Sequence, residues 1–259
     1  MLPALFGRTA ECERVERMLA AARSGSSSVL IVSGEPGIGK SALLQYAQGL
    51  ASGMNVLAAK GIESEAEIPF SGLYDLLRPA LGCLDSIPGQ QATALRGAFA
   101  LGAPTPVSRF AVGAASLSLL AAYAEGAPTL VVIDDAQWID ASSAGAVAFA
   151  SRRMLAEPLA VLIASRVGEP SRLDSASLPV LELGGLDPDV SRKLLHHQTD
   201  RAISAETCEW LHRSTAGNPL ALIELAAEAP RLGVEVFDRP LKVELQWHAR
   251  PRRRRSRRG

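Results

Sequence analysis

The sequence predicts an α/β fold: a mainly parallel sheet with helices on both faces. Two observations carry the prediction. Five short apolar runs alternate with segments of helical periodicity, so successive strands are joined by helical crossovers. Between the first run and the helix after it, residues 34–41 spell G-x-x-x-x-G-K-S, a glycine loop set between strand and helix.

The elements follow in order. Leu5-Phe6-Gly7-Arg8 precede a helix whose apolar face is Cys12, Val15, Leu19 and Ala22, spaced three or four apart. Residues 23–28 close it and lead into a strand begun by Val29, Leu30, Ile31 and Val32, three of them β-branched. After the glycine loop, Ala42, Leu43, Leu44, Tyr46 and Ala47 continue as helix. Residues 54–59 read as a second strand and 61–67 as an acidic loop. Pro69 is placed as the first residue of the next helix, with Phe70, Leu73, Leu76, Leu77 and Ala80 as its buried stripe. A turn over 85–90, a helix over 91–101 and a break at 102–106 lead to a long helix over 107–125. Then come a strand at 129–135, a helix over 141–155, a strand at 159–165 and a short strand at 180–183.

After Gly184 only helices are predicted. Asp187 caps one with Pro188 as its first residue and Val190, Leu194 and Leu195 as its inner face. Ser204 caps a second, which ends at Gly217, and Asn218 caps a third begun by Pro219. The chain therefore divides into an α/β domain at 1–184, a partial helical lid at 185–228 and an irregular, Arg-rich tail at 229–259.

Composition sets the class. With 259 residues, 47% of them apolar and 21% charged, the chain supports a sizeable core. Cys12, Cys83 and Cys208 are scattered and odd in number, which argues against a disulfide framework or a zinc site. His196 and His197 are adjacent, cannot share one helix face, and read as solvated helix residues. The most apolar stretch, 111–133, is broken by Glu125, Gly126 and Pro128 and does not span a membrane. The first residues lack the basic flank and length of a signal peptide, so the expected location is the cytoplasm. Net charge is zero, with 27 basic and 27 acidic residues, but seven arginines lie in the last ten residues. The body without them has 20 basic against 27 acidic residues, a net −7, beside a strongly basic tail.

The motifs point to nucleotide chemistry. Gly34, Gly37 and Gly39, with Glu35, Pro36 and Ile38 between them, let the backbone wrap until its N–H groups converge on phosphate oxygens. The helix starting near Ala42 adds the positive end of its dipole. Lys40 is expected to reach the β- and γ-phosphates of ATP, and the Ser41 hydroxyl to ligate Mg2+. An apolar strand ending in Asp134 and Asp135 supplies the second part. Asp134 is expected to hold Mg2+ through its water shell, and Asp135 to orient or deprotonate an attacking water. Arg166 ends the next strand, on the side where a parallel sheet receives ligands, and is placed to sense the γ-phosphate. Arg152 and Arg153 fit a solvated helix end better than arginine fingers acting in trans.

Taken together, Leu-Phe-Gly-Arg8, Gly-Glu-Pro-Gly-Ile-Gly-Lys-Ser41, Val-Val-Ile-Asp-Asp-Ala-Gln-Trp-Ile-Asp140, Ala-Ser-Arg166 and Gly-Asn-Pro-Leu-Ala-Leu222 resemble the signal-transduction ATPases with numerous domains (STAND). More narrowly, residues 5–228 are similar to the nucleotide-binding region of large LuxR-type transcriptional regulators of actinobacteria. The resemblance implies a P-loop three-layer sandwich with strand order 5-1-4-3-2, and a slow Mg-dependent ATP switch, self-associating through its nucleotide domain. It places Gly7 and Arg8 near the adenine and ribose, Arg166 at the sensor position, and Pro219 as the lid proline that touches adenine. Gly217 and Asn218 shape that turn, and Trp138 packs. Such regulators continue through helical repeats to a helix-turn-helix, which this sequence does not contain. Its last thirty residues match nothing in the family, and the arginine run resembles a truncated gene or high-GC coding read out of frame.

Two other readings stand beside the switch. One is sequence-independent nucleic-acid binding through the tail; the other is a non-functional remnant. The charge split generates a test of the first. Deleting residues 250–259 is expected to abolish DNA retention at low salt while leaving Mg-ATP affinity unchanged, measured by paired titrations of full-length and truncated chains.

Overall fold

Every strand pairing in the sheet is parallel. The strands are β1 (Ser28–Gly34), β2 (Asn55–Lys60), β3 (Thr129–Asp134), β4 (Leu159–Arg166) and β5 (Val180–Leu183), in the spatial order β2-β3-β4-β1-β5. This is the order the sequence resemblance implied. The structure is a computed structural model that describes residues 5–102, 108–169, 173, 177–198 and 203–228.

The apolar runs are continuous because both faces of the sheet are covered. Alternate side chains point to opposite sides. Ile31, Val131, Ile133, Val161 and Ile163 face one layer, built from α3 (Ser71–Leu77), α4 (Gly89–Ala98), α5 (Arg109–Ala124) and α6 (Ala141–Ser151). Leu30, Val32, Leu130, Val132 and Leu162 face the other, built from α1 (Thr9–Arg23) and α2 (Lys40–Leu50). Because the strands are parallel, their carboxyl ends share one edge. Lys60 stands beside Asp134 in register, and Gly34 beside Arg166.

Three further helices, α7 (Pro188–Gln198), α8 (Ala205–Thr215) and α9 (Pro219–Glu228), enclose a core of Leu186, Leu194, Leu195, Cys208, Leu211 and Leu222. Their expected caps are in place. Asp187 Oδ1 accepts from the Val190 N–H at 2.8 Å, Ser204 Oγ from the Thr207 N–H at 3.1 Å, and Asn218 Oδ1 from the Ala221 N–H at 3.3 Å. Among the described residues, no helix is long and apolar enough to cross a membrane, and no His, Cys, Asp and Glu cluster could hold a metal ion. The three cysteines are free.

Four local expectations change. Residues 78–86 form a 3₁₀ segment where a helix end and a turn were expected, and α4 starts at Gly89 rather than 91. Helix α6 ends at Ser151, four residues early. Helix α3 begins at Ser71, with Phe70 at φ 64° before it, so Pro69 lies outside the helix. A tertiary contact sets that start. The buried carboxylate of Asp140, 2% exposed, accepts from the backbone N–H groups of Phe70, Gly72, Ser142 and Ser143. One side chain thereby caps both α3 and α6. Ser143 Oγ completes the clamp by accepting the Leu73 N–H at 2.8 Å. Of the expected break at 102–106, residues 103–106 lie outside the described residues, as does the 229–259 tail.

Asp140→Ala would leave several buried donors unpaired at once. The expected loss is about 3 kcal/mol, read as a lower denaturant midpoint at unchanged slope.

Candidate functional site

The glycine loop links β1 to α2 through a turn whose chemistry is written in its residues. Pro36 and Gly37 occupy the centre of a turn closed by the Ile38 N–H donating to the Glu35 carbonyl at 3.3 Å. Gly37 has φ 79°, as a type II turn requires of the residue after the proline. Its surroundings also exclude a side chain: an added Cβ would lie 2.8 Å from Leu220 Cβ. At Gly34 a Cβ would lie 2.8 Å from Ile38 Cγ2 and 3.0 Å from the Leu183 carbonyl. Gly39, at φ 107°, delivers the chain into α2, whose start carries no side-chain cap.

Lys40, 8% exposed, donates from Nζ to the carbonyls of Gly34 and Glu35, both at 2.8 Å. Burial, and then the nearby Arg166 guanidinium, pull its pKa below the ordinary lysine value. Ser41 follows in the first turn of α2 and is exposed, with Ala42 half-buried behind it.

At the end of β3, Asp134 Oδ1 accepts the Asp135 N–H at 2.9 Å, and Asp135 sits at φ 47°. Asp135 lies between two cations from the flanking strands. Lys60 Nζ is 3.5 Å from one carboxylate oxygen and Arg166 Nη2 is 3.8 Å from the other. Gln137 bridges the group, donating from Nε2 to Asp135 at 3.1 Å and accepting the Arg166 N–H at 3.3 Å. Gly61 brings the 61–70 segment against this strand end. Its N–H donates to the Asp134 carbonyl at 2.9 Å, and an added Cβ would run into the Asp135 carbonyl.

A cavity of about 200 Å³ opens beside the loop at Gly39 and Ala42. Its walls are mostly apolar and include Leu5, Phe6, Leu186, Pro219 and Ile223, with Arg8 among the lining residues. Gly7 has φ 66° and packs where a Cβ would lie 2.7 Å from Val190. Arg8 is 8% exposed and donates to the carbonyls of Gly184, at 2.6 Å, and Ile38, at 3.2 Å, while pairing with Glu11 at 3.1 Å.

The sequence-predicted residues thus gather along one sheet edge: the loop, Lys40, Asp134, Asp135 and Arg166, with Arg8 and Pro219 around the adjoining cavity. Arg152 and Arg153 lie elsewhere. They follow α6, which runs back toward the amino ends of the strands, and Arg153 stacks 3.7 Å over the Phe149 ring. His196 and His197 are exposed, and Trp138 is half-buried in a short 3₁₀ segment. Lys60, Gln137 and Asp140 were not singled out from sequence. Lys60 ends an apolar run as Arg166 does, but its nearness to Asp135 follows only from the β2–β3 register.

The AAA ATPase domain family matches residues 4–163, which include the loop, Asp134 and Asp135. No curated protein matches the sequence. Similar solved structures include Drosophila ORC bound to DNA, with TM-score 0.57 and 15% identity over 90% of this chain and 59% of that one. A Walker-type ATPase of Pyrococcus abyssi has TM-score 0.56 and 16% identity over 88% of this chain and 69% of that one. The Aeropyrum pernix ORC1 protein in complex with DNA has TM-score 0.53 and 17% identity over 90% of this chain and 62% of that one. At such identities the likeness is one of fold, and the chain spans less than two thirds of either ORC protein.

Proposed function

The chain belongs to the AAA ATPase domain family, and on that premise we propose that it is an ATP-binding, slowly hydrolysing switch, a piece of a STAND-class regulator of the LuxR type. One observation carries the reading: a glycine loop with a buried lysine meets two carboxylates at the same sheet edge, beside an apolar cavity. The residues fit magnesium and a nucleoside triphosphate. The loop has glycines where a Cβ would collide, and near it stand one ammonium, one hydroxyl and a strand-end carboxylate. In this proposal Lys40 leaves the Gly34 and Glu35 carbonyls for the β- and γ-phosphates. Ser41 and Asp134 hold the magnesium, whose chemistry is to neutralise charge on the phosphate oxygens. Arg8, Pro219 and the cavity take the base and ribose, and residues 185–228 act as the lid. A cytoplasmic location and self-association through the nucleotide domain accompany this reading.

The surroundings of Asp135 support a switch rather than a fast enzyme. Both of its carboxylate oxygens face cations, which competes with handling a water. In this proposal Lys60 and Arg166, the latter also paired with Glu169 at 3.5 Å, turn toward a γ-phosphate, and only then is Asp135 released as a base. Such partly exposed pairs are individually weak, so a phosphate can draw them away.

Lys40→Ala is expected to raise the Kd for Mg-ATP about tenfold or more, equivalent to roughly 1.4 kcal/mol, in calorimetry. Equal affinities would overturn the site assignment. Asp134→Ala should weaken the magnesium dependence of binding. Asp135→Asn should keep binding and suppress single-turnover hydrolysis; loss of binding alone in both variants would contradict this division of roles.

A further inference from the structure

We infer that Asn218 and Leu220, at the start of α9, act with Arg8 to hold the glycine loop in its phosphate-accepting shape. Docking of the C-terminal helices and affinity for the nucleotide's phosphates are therefore coupled. The inference rests on the nucleotide reading above and assigns Asn218 as a positioning residue.

The argument is an account of the loop carbonyls from Gly34 to Gly39. Lys40 Nζ holds those of Gly34 and Glu35, and Gly39 accepts the Leu43 N–H of α2. The three between them are held from outside the loop. Asn218 Nδ2 donates to the Pro36 carbonyl at 2.9 Å, and the Leu220 N–H to that of Gly37 at 3.3 Å. Arg8 Nη2 donates to that of Ile38 at 3.2 Å. A trans peptide points its N–H opposite its C=O, and there is no cis peptide among the described residues. Fixing the Pro36 and Ile38 carbonyls toward α9 and Arg8 therefore turns the N–H groups of Gly37 and Gly39 the opposite way. Those are groups that a glycine loop offers to phosphate.

The donors are themselves tied to the base of the three-helix cluster. The same Arg8 nitrogen donates to the Gly184 carbonyl at 2.6 Å, where β5 gives way to α7. The Leu186 N–H donates to the Gly217 carbonyl at 2.8 Å, next to Asn218. Asn218 serves both ends: its Oδ1 caps α9, and its Nδ2 reaches back across to Pro36. Undocking α9 removes two loop donors together. By linkage, a phosphate that stabilises the loop stabilises the docked helix by the same free energy.

The cap and the reach can be separated. Asn218→Asp keeps an acceptor suited to capping but loses the Nδ2 donor and sets a carboxylate against the Pro36 carbonyl. Asn218→Ser keeps a cap and loses the donor without adding charge. The expected result is an increase in the Mg-ATP Kd of about fivefold for either variant, within the range of one lost hydrogen bond, with the cooperative unliganded melt retained. In the wild type, Mg-ATP should slow hydrogen exchange in residues 219–228, and the slowing should shrink in both variants, where only the Leu220 N–H still links α9 to the loop. If Asn218→Asp melts early, Asn218→Ser decides. Wild-type ATP affinity and undiminished slowing in the variants would overturn this inference alone, since both still cap α9. Failure of the wild type to bind Mg-ATP at all would overturn the nucleotide reading and this inference with it.

Discussion

A buried ammonium organises this molecule. Removing Lys40 from water is costly unless its protons find acceptors, and the carbonyls of Gly34 and Glu35 provide them. That satisfaction fixes how β1 ends and how α2 begins. The glycine conformations at 37 and 39 follow from it, because only a tightly wound loop brings two carbonyls onto one side chain. Arg166, ending the neighbouring strand, adds positive charge that works against the lysine. The carboxylates of Asp135, Asp134 and Glu169 work the other way and favour the charged ammonium. An anion entering there relieves repulsion as well as gaining contacts.

Much of this is legible in the sequence. Strands buried on both faces announce themselves as unbroken apolar runs, as β1, β3 and β4 do, while β2 and β5 at the sheet's two edges are partly exposed. The loop, the strand-end carboxylates and the three helix caps each depend on residue types at short spacing, which a sequence displays directly. What stayed hidden depends on partners distant in sequence. Asp140 caps α6 locally, but its carboxylate also accepts the backbone N–H groups of Phe70 and Gly72, some seventy residues earlier. That contact moves the start of α3 past Pro69, against local preference. Lys60 has no signature of its own; only its register with Asp134 gives it a role.

Arg8 illustrates a further limit. Its place in a short motif suggested contact with a ligand, and it does line the cavity beside the loop. Its buried guanidinium is nevertheless engaged by the protein itself, through two backbone carbonyls and Glu11. Guanidinium has donors enough for both tasks. Motifs record that a residue is needed; geometry tells how many jobs it holds.

The strand order also governs the sequence of events during synthesis. The interior strand β1 is made early, yet its neighbours are β4 and β5, the last of the described strands to leave the ribosome. Until they arrive, the glycine loop has no Leu183 behind Gly34 and no Arg166 beside it. The nascent chain must carry an exposed apolar β1 through the synthesis of everything between. The surroundings of the glycine loop are thus among the last parts of the sheet to be completed.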